Sequence, residues 1–121
     1  MADEILIVED DPDLRALLEY TFESKGFEIE SHDGGAGALT YIEDGGRPSC
    51  VLLDLRMPGV SGLEVLEKRA DDEVFAAIPV IVLTGMDSDI VERAFDRGAD
   101  DYIRKPFSPN ELVTKVRQVL E

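Results

Sequence analysis

Five side chains suited to metal or phosphoryl chemistry lie at, or directly after, the ends of short apolar runs: Asp10, Asp11, Asp54, Thr84 and Lys105. If these runs are neighbouring parallel strands, the five side chains meet at one edge of the sheet, where the ligand sites of such sheets lie. Converging carboxylates disfavour joint ionisation, so a positive group has to offset them. Lys105 is one candidate, and a hard divalent cation such as Mg²⁺ is the other. Such an edge suits phosphoryl transfer, with Asp54 as nucleophile and Thr84 as hydroxyl donor.

Taken one at a time, these residues have ordinary structural interpretations. Asp11 precedes Pro12, and an aspartate before proline commonly starts a helix. Asp54 and Thr84 can simply end strands, and Lys105 can be a surface lysine. Their shared position at one predicted sheet edge is what favours a functional site.

The elements that position these residues alternate along the chain. Five runs predict strands: Ile5–Val8, Glu28–Ser31, Val51–Asp54, Val80–Leu83 and Tyr102–Arg104. The first, third and fourth are almost entirely Val, Ile and Leu, as in strands that helices cover on both faces. Capping and stop signals predict five helices. Three have both ends marked, from Pro12 to Gly26, from Gly35 to Glu43 and from Asp87 to Gly98. For the other two only the start is marked, at Ser61 or Gly62 and at Pro109. This alternation predicts an α/β fold with an open parallel sheet and right-handed crossovers.

Length and composition limit the class of protein. The chain has 121 residues, one cysteine and a formal net charge of −15. We expect one domain over 1–121, without an internal disulfide. The charge argues against direct binding of nucleic acid or anionic lipid. The longest apolar run, Ile78–Leu83, is too short to span a membrane. Because the N-terminus also lacks the basic start of a secretory signal, we expect a cytoplasmic protein.

The acidic balance also suggests a habitat. Asp and Glu number 27, against 12 Lys and Arg, of which only four are lysines. A carboxylate-rich surface is expected of proteins that work in high salt, because screening removes the self-repulsion. A halophilic source is therefore one hypothesis for this composition.

Four motifs of the chain resemble the receiver domain of two-component response regulators. They are Ile7-Val8-Glu9-Asp10-Asp11, Leu52–Gly59 followed by Gly62, Val82-Leu83-Thr84-Gly85, and Gly98–Phe107. Each motif alone is weak, but their order and spacing together are highly specific, and the match covers the whole chain. The resemblance implies a doubly wound, five-stranded parallel sheet in the order 2-1-3-4-5, flanked by five helices.

The resemblance also implies a chemistry. Asp54 would accept a phosphoryl group from a phosphohistidine on a sensor histidine kinase or phosphotransfer protein. Asp11 and Asp54 would bind Mg²⁺ (or Mn²⁺) directly, together with the backbone carbonyl of Arg56, while Asp10 would hold it through water. Lys105 would pair with the phosphoryl group, and its peptide bond to the following proline would be cis.

A switch is implied as well. Thr84 would move toward the phosphoryl oxygens, and Tyr102 would turn inward into the space that Thr84 leaves. Arg56 and Met86 occupy the two positions that tune the lifetime of the phosphoryl group in the family. Since neither is a water-activating acid or amide, we expect slow to moderate self-dephosphorylation and no other enzymatic activity.

The output of such a switch would be the outer face of the fourth helix, fifth strand and fifth helix. Its charged residues include Arg93, Asp100, Asp101 and Arg117. This set resembles the face through which receivers of transcriptional regulators dimerise, and a solvated surface with i,i+4 pairs is the alternative. We expect homodimerisation on phosphorylation and a downstream effector domain or protein as partner.

Two other classes of protein compete with this interpretation. An aspartate-nucleophile phosphohydrolase needs a second acid two residues after the nucleophile, and here that position is Arg56, which does not donate a proton near pH 7. A flavodoxin-like flavin-binding module wraps phosphate in a Ser/Thr/Gly loop after the first strand. Here that loop carries Glu9, Asp10 and Asp11, which repel phosphate unless a metal intervenes.

Overall fold

A computed structural model describes residues 2–85 and 88–121. Strands and helices alternate along most of the chain. In order they are β1 (Glu4–Val8), α1 (Pro12–Ser24), β2 (Glu28–His32), α2 (Gly35–Glu43), β3 (Cys50–Asp54), α3 (Gly62–Ala70), α4 (Glu73–Ala76), β4 (Val80–Thr84), α5 (Ser88–Asp96), β5 (Asp101–Arg104) and α6 (Pro109–Val119). The five predicted strands are confirmed, each to within one residue at its ends.

The strands form one parallel sheet in the order β2-β1-β3-β4-β5, which confirms the predicted fold. The three central strands are β1, β3 and β4. Their apolar side chains are fully buried because helices cover both faces of the sheet. The two outer strands, β2 and β5, carry polar and charged residues, as their position at the sheet edges allows.

Each face of the sheet has its own core. Leu6, Val51 and Val82 pack on one face with side chains from α2, α3 and α5. On the opposite face, Ile7 and Leu52 pack with side chains from α1 and α6. The alternation of side chains along each strand produces this division. Because every central strand is held from both sides, its carboxyl end has a fixed position.

Residues 2–85 and 88–121 form six helices around the sheet, where five were predicted. The additional helix, α4, is four residues long, too short for a helical period to be visible in the sequence. Asp72 caps it by accepting hydrogen bonds from the amides of Val74 and Phe75, and Phe75 is buried in the core. Asp87, the predicted start of α5, lies outside the described residues. Among the described residues, no helix combines the length and apolar character that crossing a bilayer requires.

The buried side chain of Arg69 forms hydrogen bonds at the end of the sheet opposite to the predicted site. The Arg69 guanidinium, at the end of α3, donates to the carbonyls of Ala76, Ile78 and Gly98 and to the Asp100 carboxylate, at 2.8–3.3 Å. Asp100 also accepts from the amide of Val80 at 2.8 Å. One side chain thus links α3, the start of β4 and the start of β5.

We expect Arg69→Ala to lower the free energy of unfolding by about 2–3 kcal/mol, because it leaves buried carbonyls without donors. Urea unfolding followed by circular dichroism measures this. Arg97→Ala is the matched control. Arg97 pairs with Glu67 at 3.0 Å, but more than half of the Glu67 side chain is exposed, so its loss should change stability by less than about 1 kcal/mol. Equal effects of the two substitutions would contradict the anchoring role of Arg69.

Candidate functional site

The candidate site lies at the carboxyl edge of the sheet. Glu9 directly follows β1, Asp54 is the last residue of β3, Thr84 is the last residue of β4, and Lys105 directly follows β5. The backbone continues the parallel register here, since the Lys105 amide donates to the Thr84 carbonyl at 2.6 Å. The sheet therefore brings together four side chains that are far apart in sequence.

Three carboxylates converge at this edge. Oxygen atoms of Glu9, Asp10 and Asp54 all lie within 4.8 Å of one another, and no other such acidic group occurs among the residues the structure describes. Glu9 and Asp54 are buried, and Asp10 is more exposed. Three negative charges at this separation repel one another strongly where water is largely excluded.

Lys105 supplies the balancing positive charge. Its Nζ atom lies 2.8 Å from Glu9 Oε1 and 3.3 Å from Asp54 Oδ2. Two backbone amides add further donors: the Asp11 amide donates to Glu9 Oε2 and the Arg56 amide donates to Asp54 Oδ1, each at 3.1 Å. Both oxygens of each buried acid therefore have a positive or polar partner. The Lys105–Pro106 peptide bond is cis, as predicted.

This environment changes the proton affinities of two groups. Burial, and secondarily the nearby Asp54, raises the pKa of the Glu9 carboxyl to about 7 in the absence of a metal, although Lys105 and the Asp11 amide act in the opposite direction. Burial also works to lower the pKa of the Lys105 ammonium. Its hydrogen bond to Glu9 and the charge of Asp54 outweigh that effect and leave the pKa above its usual value.

Asp11, which the resemblance assigns as a direct metal ligand, does not belong to this acidic group. It is the N-cap of α1, and its Oδ1 atom accepts from the amides of Asp13 and Leu14 at 3.0 and 3.4 Å. Glu9 takes the place in the acidic group that was assigned to Asp11. Pro12 after Asp11 was the available signal, because it marks the start of the helix and therefore a capping role for the preceding aspartate.

The two predicted switch residues, Thr84 and Tyr102, differ in solvent exposure. Thr84, the last residue of β4, is buried at 3% exposure, whereas Tyr102 is 37% exposed. The Tyr102 ring packs edge-on against Phe95, and Lys115 Nζ lies 5.9 Å from the ring centre. Tyr102 therefore points outward in this structure, away from the position inside the domain that the switch would give it. Of the two lifetime positions, Arg56 is exposed, and Met86 lies outside the described residues.

Two residues of the predicted dimer face form ion pairs within the domain. Asp100 is bonded to Arg69, and Asp101 pairs with Lys115 at 3.2 Å. Arg93 and Arg117 are exposed. The Asp100 carboxylate holds the start of β5 and is still 42% exposed, so dimerisation through this face stays a prediction.

Glycine at position 62 is required by the close packing of α3 on the end of β3. A Cβ atom there would lie 2.4 Å from the Asp54 carbonyl oxygen and 2.7 Å from the Leu55 Cα atom. The Gly62 amide also donates to the Leu55 carbonyl at 3.2 Å. The first turn of α3 thus holds the backbone that carries Asp54.

Comparison with known proteins identifies the family. The family model described as "Response regulator receiver domain" matches residues 5–117, and the chain belongs to this family. One curated relative is the DNA-binding response regulator MtrA of Mycolicibacterium smegmatis, which is 40% identical over 97% of this chain and 50% of its own length. Another is the phosphate regulon transcriptional regulatory protein PhoB of Pseudomonas aeruginosa, which is 38% identical over 96% of this chain and 51% of its own length. The chain thus spans about half the length of these relatives.

Solved structures agree with this assignment. A response regulator structure from Chloroflexus aurantiacus superposes with a TM-score of 0.93 at 30% identity and covers 99% of this chain and 98% of its own. The receiver domain of a sensor histidine kinase from Pseudomonas aeruginosa, solved with a magnesium ion in its active-site cleft, superposes at 0.90 with 28% identity and coverages of 99% and 98%. The chain is a receiver domain of two-component response regulators, and the hydrolase and flavin alternatives are not favoured. The comparisons lend no support to the high-salt hypothesis.

The raised pKa of Glu9 predicts how the stability of the metal-free protein depends on pH. The folded carboxyl has a pKa of about 7 against an ordinary 4.5, so folding favours its protonated form. This contribution to the free energy of unfolding is complete below about pH 4.5 and is lost as the pH rises through 7. Urea unfolding in EDTA at pH 5.5 and pH 8 should show wild type losing on the order of 2 kcal/mol more than Glu9→Gln over this interval. Parallel pH profiles of the two proteins would contradict this assignment.

Proposed function

We propose that Asp54 is the phosphoacceptor of this receiver domain. The arrangement that supports this role is the placement of Asp54 Oδ2 3.3 Å from the Lys105 ammonium, with its other oxygen held by the Arg56 amide. Phosphohistidine on a partner kinase or phosphotransfer protein is the donor. An oxygen of Asp54 forms the new P–O bond while the P–N bond breaks, and its electron pair returns to the imidazole nitrogen.

The acids of the site fit a hard divalent cation, because Mg²⁺ prefers a small set of carboxylate and carbonyl oxygens completed by water. We propose that Glu9, Asp10, Asp54 and the backbone carbonyl of Arg56 hold Mg²⁺, with Glu9 in place of Asp11. When bound, Mg²⁺ neutralises charge on the transferring phosphoryl group. Mn²⁺ shares this preference for oxygen ligands and fits the same set.

Lys105 and Thr84 are the remaining groups at the sheet edge that can contact a phosphoryl group on Asp54. The Lys105 ammonium pairs with its oxygens, and the Thr84 hydroxyl donates a hydrogen bond to one of them. Movement of Thr84 toward the phosphoryl group opens space behind it, and Tyr102 turns inward from its exposed position to fill that space. The outer face of α5, β5 and α6 changes shape as a result.

The partners follow from this role. A histidine kinase or phosphotransfer protein supplies the phosphoryl group, and an effector domain or protein receives the signal. MtrA is named a DNA-binding response regulator, and since this chain spans half of such a protein, a DNA-binding effector is the proposed output. The cytoplasmic location remains a prediction from the sequence.

Intact-mass analysis with acetyl phosphate as donor tests the phosphoacceptor. Wild type should gain one phosphoryl group in Mg²⁺ and none in EDTA, and Asp54→Asn should gain none in either. Asp96→Asn, on the exposed surface of α5, is the matched control and should behave as wild type. Decay of the product after donor removal also measures the lifetime set by Arg56 and Met86, which we propose is moderate to long. A phosphorylated Asp54→Asn protein would overturn the assignment.

Dimerisation through the outer face of α5, β5 and α6 is the proposed consequence of phosphorylation. Phe95 and Tyr102 are exposed there at 40% and 37%, with Arg93 and Arg117 in the same elements. Sedimentation velocity with beryllofluoride and Mg²⁺ should show a dimer, and Arg117→Glu should weaken it at least about tenfold by reversing an interface charge. Arg47→Glu, next to the end of α2, is the control and should leave it intact. A wild-type protein that stays monomeric would contradict the proposal.

A further inference from the structure

The turn between β1 and α1 carries two of the three acids at the sheet edge, Glu9 and Asp10. Their side chains are supported in different ways. Glu9 is fully buried, and its carboxylate accepts from Lys105 and from the Asp11 amide. Within the described part of the chain, the Asp10 carboxylate accepts no hydrogen bond. The backbone of the turn therefore sets the direction of Asp10.

The Arg15 side chain reaches back from α1 to this turn. Its Nη1 atom donates to the Glu9 carbonyl at 2.9 Å, and its backbone amide donates to the Asp11 carbonyl at 2.9 Å. Arg15 thus holds the chain on both sides of Asp10. A hydrogen bond from a charged donor is about twice as strong as one between neutral groups, so a guanidinium is well suited to fix a single peptide group.

The Glu9 carbonyl and the Asp10 amide belong to one planar peptide group. Arg15 holds this group at its carbonyl. One step earlier in the chain, the Glu9 amide donates to the His32 carbonyl of β2 at 3.1 Å. Rotation of the peptide group would reorient the Cα–Cβ bond of Asp10 and carry its carboxylate away from Asp54. The guanidinium prevents this rotation because it would break the hydrogen bond to the Glu9 carbonyl.

We propose that Arg15 is a positioning residue for the cation: by fixing the Glu9–Asp10 peptide group, it aims the Asp10 carboxylate at the metal site. This inference rests on the proposed metal site. The charge of Arg15 has the opposite effect, because a guanidinium repels a nearby cation. Loss of Arg15 therefore weakens cation binding if the residue positions Asp10, and strengthens it if only its charge matters.

Magnesium titration of Arg15→Met tests the proposal, because methionine is a long side chain with neither the donor nor the charge. Since the loss of a group that orients a metal ligand costs about tenfold or more in affinity, we expect Arg15→Met to bind Mg²⁺ at least about tenfold more weakly than wild type. The backbone amide signals of Asp10 and Asp54 in NMR spectra measure the binding.

Lys25→Met is the matched control, because it removes one positive charge from the opposite end of the same helix. Lys25 lies about 15 Å from Arg15 along the helix axis. Salt screens a charge at that distance, so the affinity for Mg²⁺ should change by less than about twofold.

Backbone dynamics in EDTA test the cause without a metal. We expect ¹⁵N relaxation to give the Asp10 amide an order parameter of about 0.85 in wild type and below about 0.6 in Arg15→Met. The Glu9 amide, which is bonded to β2, is the internal reference. It should remain rigid in both proteins, which also shows that the variant keeps its sheet.

The outcomes separate this inference from the proposed function. If wild-type Asp10 and Asp54 amides respond to Mg²⁺ and Arg15→Met binds the ion equally or more tightly, the positioning role is overturned and the metal site stands. A weaker affinity with an unchanged Asp10 order parameter would overturn the role as well. If no amide of the site responds to Mg²⁺ in wild type, the proposed metal site fails, and the role of Arg15 fails with it.

Discussion

Repulsion among three carboxylates is the constraint around which this domain is arranged. The parallel sheet forces Glu9, Asp10 and Asp54 to within 4.8 Å of one another, and nothing in the local sequence of any one strand offsets their charge. The compensation comes from Lys105, 96 residues after Glu9 in the chain. Because the carboxylates repel one another, the site responds strongly to any added positive charge or phosphoryl group. Such sensitivity suits a switch.

The rest of the fold keeps these groups from moving apart. Central strands buried on both faces fix the carboxyl ends of β1, β3 and β4, and the close approach of Gly62 to the Asp54 carbonyl fixes the backbone of Asp54, the proposed phosphoacceptor. At the opposite end, Arg69 ties α3 to the starts of β4 and β5. Rigid anchoring at both ends of the sheet leaves side chains, rather than strands, as the groups free to change position.

The two residues of the proposed switch have different environments. Tyr102 points outward and contacts Phe95 and Lys115, while Thr84 is buried at the end of β4. Thr84 is the last residue of β4, and Tyr102 lies in the neighbouring strand β5, where its register partner is Val82. In the proposed switch, a phosphoryl group on Asp54 acts on the outer face only by favouring one of two arrangements of these side chains.

The amino-acid sequence was enough to predict the five strands, their parallel arrangement and the placement of Asp54 and Lys105 at one edge, because apolar strands and the residues at their ends carry that information locally. The folded structure was needed to show that two of the three consecutive acids, Glu9 and Asp10, join Asp54 at the sheet edge, because the chain turns there from β1 into α1 and Asp11 caps the helix. It also decided that Asp100 bonds inward to Arg69, and that a four-residue helix covers the core at Phe75. These outcomes depend on contacts between residues about 30 or more positions apart, or on a single helical turn, and neither leaves a periodic pattern in the sequence.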